Sequence, residues 1–232
     1  MEYANSKRRP GRRMVASMRN GRTWVAAVMR RLGRSRRADE RGAVLVEAAI
    51  VIPVLMLITL GIIEYGSAYQ QDAAVAAASR SGVRAASALS KSDFGCATPT
   101  TCPLSSTDSA ATVTAAVSSA LQAVGSATPQ KMYIYDPTTA GTGPPNFTGC
   151  THCVGYTWVG GSTKAFSTRI AGTPGWFAAN QDACAADPPD QITVWVSMTH
   201  QAVTRLFGGS KTLTGSTTMR FEPNVTSTCG GS

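Results

Sequence analysis

The sequence predicts an α+β chain in which a long N-terminal membrane-spanning helix continues outside the bilayer. A small domain with one further helix and about four antiparallel strands follows it. Three observations carry this prediction. An apolar run of about 21 residues, Ala43 to Ile63, holds a single charge, Glu47. The alanine-rich stretch after it contains no proline before Pro99. Late in the chain, apolar and polar residues alternate with the period of a half-buried strand, most clearly over Ile192 to Thr199.

The apolar run has the length of a bilayer crossing. At about 1.5 Å per helical residue it extends about 31 Å, close to the thickness of the hydrocarbon layer. A spanning helix has two competitors. A buried helix of a soluble protein is one, but such helices usually keep polar residues on part of their circumference. A cleaved secretory signal is the second, since arginines precede the run and Gly66, Ser67 and Ala68 follow it. The run exceeds the roughly 7 to 15 apolar residues of such signals, and Glu64 and Tyr65 precede the small residues. The expected division is a basic head over 1–42, a spanning segment over 43–63, a helix extension over 64–90 and a disulfide-stapled domain over 91–232.

Charge and cysteine placement agree on direction. The formal net charge is +9, but Met1 to Arg41 holds 13 basic and 3 acidic residues, while Glu64 to Ser232 holds 9 of each. The excess is therefore confined to the head, which excludes a basic nucleic-acid-binding domain. Arg30, Arg31, Arg34, Arg36, Arg37 and Arg41 stand close before the run, against Arg80 after it. Positive residues stay on the inner side, so the N-terminus is expected in the cytoplasm and the C-terminal domain outside the cell membrane. All six cysteines, Cys96, Cys102, Cys150, Cys153, Cys184 and Cys229, fall in the outer part. An even number there reads as a disulfide framework with 15 conceivable pairings.

The head itself admits three readings. Met18, Val25, Val28, Met29 and Leu32 have helical spacing among arginines, as in a helix lying on anionic lipid, although Gly21 and Arg22 interrupt that face. A disordered topogenic tail is the second. The third is upstream sequence preceding a later start at Met14, Met18 or Met29.

Beyond the run, Tyr65 and Tyr69 stand where interfacial aromatics anchor a spanning helix. Tyr65, Tyr69, Asp72, Ala76, Ser79 and Val83 are expected on one side of a helix that continues to about Ala88, with an alanine-rich stripe for close packing. Asp108 is placed to cap a second helix bearing Val113, Val117, Ala120, Leu121 and Val124, ended by Gly125. Strands are expected from Lys131, from Val154, over Ile192 to Thr199 and from Thr212.

Several pieces form a recognisable set: the Glu40-Arg41-Gly42 lead-in, Glu47 and Pro53 within the run, the Glu64-Tyr65-Gly66 exit, and Arg80 and Arg84. A late ITVWVSM strand and LTGSTTMRFE complete it. Together these resemble the TadE-like family of tight-adherence pilus proteins. The resemblance implies a pilin-like minor component that helps a secretion-type machine assemble fimbriae, with no active site and no cofactor. It implies partners among pilin-like or tight-adherence proteins, besides membrane lipid. It also implies cleavage by a prepilin peptidase after Gly42, leaving Ala43 first and Glu47 fifth. A carboxylate in hydrocarbon is unfavourable by several kcal/mol unless paired, and the new amine of a neighbouring subunit would pair it. In this chain the leader would be 42 residues long, and Ala48 follows Glu47 where an aromatic residue is common. The alternative is an uncleaved helix with Glu47 reaching toward the cytoplasmic interface.

Other chemistry is poorly supported. Cys150-Thr151-His152-Cys153 has the spacing of a thiol redox motif, yet it lies in a Gly/Pro-rich loop rather than before a helix. Structural disulfides fit it better. A zinc site on Cys150, His152 and Cys153 lacks a second cysteine pair at suitable spacing. His200 follows a strand without an adjacent nucleophile or acid in sequence, and no phosphate-binding glycine loop or small-molecule site is indicated. Sequons at Asn146 and Asn224 imply only surface exposure. A structural or assembly protein of the cell envelope is the expected function, with a single-pass receptor or regulatory protein and a membrane-tethered thiol oxidoreductase as alternatives.

Overall fold

A computed structural model of the chain describes residues 21–95, 108–122, 128–139, 143–144, 150–184, 189–205 and 208–223, with side chains from Gly42 onward. The chain divides into two compact units, Met1–Leu57 and Ile58–Ser232. Helix α1, Gly21–Ser87, contains the whole apolar run together with the extension predicted for it. Pro53 lies inside it and has no N–H to give the Ala49 carbonyl. Such a residue is tolerated in a spanning helix.

In the first unit the large apolar side chains, such as Leu45, Ile50 and Leu55, are exposed. This is the one described helix long and apolar enough to cross a membrane, and no part of its apolar window is buried by protein. A core helix would hide those side chains, so a soluble-core helix does not fit.

In the second unit α1 changes character. Glu64, Gln71, Val75, Ala78, Ser79, Val83 and Ala86 are buried, whereas Tyr65 and Tyr69 are 75% and 68% exposed. The buried stripe repeats at intervals of three, four and seven residues, as a helix lying on a sheet requires. Tyr65, Tyr69 and Asp72 therefore do not share a face with Ser79 and Val83, contrary to the expected grouping. A four-residue step advances the helix by more than a full turn, and repeated steps drift around the axis.

Five antiparallel strands form one sheet in the order β3-β2-β1-β4-β5. They are β1 Thr128–Tyr135, β2 Cys153–Val159, β3 Ala165–Arg169, β4 Gln191–Gln201 and β5 Ser210–Arg220. The expected four are present, and β3 is the addition. It is a five-residue edge strand with a single large apolar residue, Phe166, too short to show alternation. Opposite Met132 stand Tyr156 on β2 and Val196 on β4, and opposite Ile134 stand Val154 and Val194. This register lines up one apolar face, which packs with Val75 and Val83 of α1 and Val113, Val117 and Leu121 of α2. The other face is richer in hydroxyls, with Thr193 and Thr218 oxygens 2.7 Å apart and a Tyr133–Trp195 ring pair at 5.8 Å.

Helix α2, Ser109–Gln122, starts as expected: the Asp108 carboxylate accepts from the Ala110 N–H at 2.9 Å and from the Gly95 N–H at 3.1 Å. Its second oxygen accepts from the Tyr156 hydroxyl at 3.4 Å. Burial, helped by that nearby carboxylate and opposed by Arg169, raises the Tyr156 pKa, so the hydroxyl stays a donor. Val124 and Gly125 lie outside the described residues.

Two glycines set how closely α1 approaches the sheet. A Cβ on Gly82 would stand 2.5 Å from Val117 Cγ2 and 3.0 Å from Val194 Cγ1. One on Gly215 would stand 2.8 Å from Val75 Cγ1 and 3.0 Å from the Val75 carbonyl oxygen. Either would force packed groups apart. At the far end of the domain Trp176, fully buried, joins distant segments. Its backbone exchanges two 2.8 Å hydrogen bonds with Phe94, and its ring lies 5.1 Å from Phe221 and 6.1 Å from His152.

Candidate functional site

Gly42, Ala43 and Glu47 all lie exposed on α1, and a Cβ on Gly42 would meet nothing within 4 Å. Glu47 is thus a carboxylate on a helix surface that is otherwise apolar. Such a group needs a partner or a route to water once the segment is in lipid.

The end of the apolar run carries the best-organised polar cluster. Glu64 is only 8% exposed. Its carboxylate accepts hydrogen bonds from the Val203 N–H at 2.9 and 3.0 Å, the Thr204 N–H at 3.1 Å and the Thr204 hydroxyl at 3.3 Å. His200 Nε2 lies 3.7 Å from it, and His200 Nδ1 lies 2.8 Å from Gln71 Oε1, two turns further along the helix. Backbone donors to a carboxylate are charge-assisted and strong. The cluster therefore clamps the chain after β4 to α1 where the apolar run ends. The acid beside His200 is invisible from its neighbours in sequence, because Glu64 stands more than a hundred residues earlier in the chain.

Beside the clamp is a groove of about 470 Å³. Gly61, Glu64, Tyr65 and Ala68 of α1 line one side, and His200, Ala202, Gly208, Gly209, Ser210 and Lys211 line the other. The neighbouring Val203 is 64% exposed. Glu64 lines the groove with its carboxylate accepting from the Val203 and Thr204 N–H groups.

At the opposite end of the domain, Cys150 and Cys153 are bonded to each other. Cys184 is also disulfide-bonded, and among the described residues no cysteine is free. Cys96, Cys102 and Cys229, like the sequons at Asn146 and Asn224, lie outside the described residues. Closing so short a loop restricts the unfolded chain by roughly 2 kcal/mol, less than pairing with distant partners would give. Sulfurs bonded to one another are not thiolates, so this pair does not supply zinc ligands in this state. His152 between them lies 3.7 Å from Asp136 and stacks on Trp176. Among the described residues no group of three His, Cys, Asp or Glu side chains is arranged to hold a metal ion.

The model of the family described as TadE-like protein matches residues 42–84. No curated protein and no solved structure matches the chain. The matched residues all belong to α1, from Gly42 through Glu47, Pro53 and the Glu64 clamp to Arg84. The late strand pieces of the resemblance lie outside the match.

Proposed function

We propose, with the TadE-like match over α1 as the premise, that this chain is a non-enzymatic single-pass membrane protein of pilus assembly. The exposed apolar surface of α1 carries this reading, since a helix without protein cover needs lipid or other helices around it. The N-terminus is cytoplasmic and the folded domain extracytoplasmic. Arginine placement before the run and disulfides in the domain support that direction. The helix packs with pilin-like or tight-adherence partners. A prepilin peptidase cuts after Gly42, and Glu47 pairs with the free amine of a neighbouring subunit.

Orientation is tested with a membrane-impermeant thiol reagent on cells whose inner membrane is exposed, with and without prior reduction. All six cysteines lie beyond Gly95, so reduction alone should make the solvent-accessible ones reactive. Labelling that also requires lysis of the inner membrane would place the domain in the cytoplasm.

Processing and pairing are tested by sequencing the mature N-terminus and by recovering pilus components with tagged wild-type and Glu47→Leu protein. We expect Ala43 as first residue. Recovery should fall about tenfold with leucine, the effect of losing one charge-assisted pair, while membrane partitioning improves. Equal recovery, with an N-terminus upstream of Ala43, would leave an ordinary anchor.

A further inference from the structure

We propose that the groove between α1 and the segment after β4 seats an acyl chain of a membrane phospholipid, with the lipid phosphate at Lys211. This deepens the proposed function and rests on its reading of residues 43–63 as a bilayer span.

Position is the first argument. The groove begins at Gly61, inside the last turn of the apolar run, and reaches Ala68. Those seven helical steps rise about 10 Å. The headgroup layer on each side of the hydrocarbon is roughly 5 to 8 Å thick, so the groove opens at the hydrocarbon boundary and extends through the headgroups. Lipid already surrounds the lower end, and an acyl chain lying along Ile58 and Ile62 need only continue into it.

Lining and rim agree with that occupant. Gly61, Ala68, Ala202, Gly208 and Gly209 offer small uncharged walls, while Glu64 and His200, which also line the groove, are engaged by the Val203 and Thr204 N–H groups and by Gln71. A volume of about 470 Å³ lies in the range of sites that take small apolar ligands. Tyr65, which lines the groove, is exposed, an amphipathic ring suited to an interface. Lys211 is the cation among the lining residues, placed on an exposed strand end where a phosphate can reach it.

The full-length chain in nanodiscs of phosphatidylethanolamine and phosphatidylglycerol, the latter with a diazirine on an acyl chain, tests this. After illumination, label is expected on 43–57 and also on Ala202–Arg205 and Gly208–Lys211. Ala68→Trp, which fills the groove, should lower label on Gly208–Lys211 about tenfold and leave 43–57 unchanged. Lys211→Glu, at an exposed position, should lower it about fivefold. Label confined to 43–57 would overturn the lipid seat alone, whereas absence of label there too would overturn the membrane reading. Groove label unchanged in both variants, or cross-links from the groove to a second copy of the chain, would also defeat the proposal.

Discussion

Replacing Glu64 with leucine is expected to detach the segment after β4 from α1 and to destabilise the domain by about 3 kcal/mol. The Val203 and Thr204 N–H groups and the Thr204 hydroxyl all donate to this carboxylate. Leucine gives them no acceptor, and a charged acceptor is worth more per bond than a neutral one. His200 loses its carboxylate neighbour as well, although its bond to Gln71 can persist. Hydrogen exchange separates this clamp from general loosening. Val203 and Thr204 amides should exchange much faster in Glu64→Leu, while the β1 and β2 amides change little. Glu64→Gln keeps an acceptor oxygen and should lie between. Unaltered protection at Val203 and Thr204 in the leucine variant would show that the clamp is dispensable.

A comparable loss is expected from Trp176→Ala, about 3–5 kcal/mol, the usual range for removing a large buried aromatic side chain. Its ring packs against Phe94, Phe221 and His152, and its indole N–H donates to the Asn180 carbonyl at 3.1 Å. The vacated space borders three chain segments, so no single side chain can collapse into it. Trp176→Phe keeps ring contacts and loses the hydrogen bond, and should recover more than half of the difference. Unfolding of the full chain in detergent measures both. A loss below about 1 kcal/mol for alanine would mean that the neighbouring rings repack.

What could be read from the sequence was whatever has a local signature. The length and apolarity of 43–63, the helix after it, the Asp108 cap and the alternation in Ile192–Thr199 each depend on residues close together in the chain. Strand β3 has a single large apolar residue and takes its place from pairing with β2, so no local pattern announces it. The clamp was hidden for another reason. Glu64 read as an exit residue and His200 as an isolated histidine, and only the pairing of β4 beside α1 brings them together. A charged residue directly after an apolar run is the one signal that could have raised the question. The groove was similarly hidden, since most of its lining is glycine, alanine and tyrosine, types with many other uses.

The distance between those clamp partners also orders events in time. Val203 follows Glu64 by 139 residues. At roughly 5–20 residues per second, synthesis needs on the order of ten seconds to deliver it. Strand β1 meets β2 earlier, but its other edge waits similarly, since Thr128 pairs with Thr199. Through that interval the apolar stripe of α1, Val75, Ala78 and Val83, lacks β4 and β5, although its own residues are already made. The first of the described elements to be synthesised is therefore among the last to be completed.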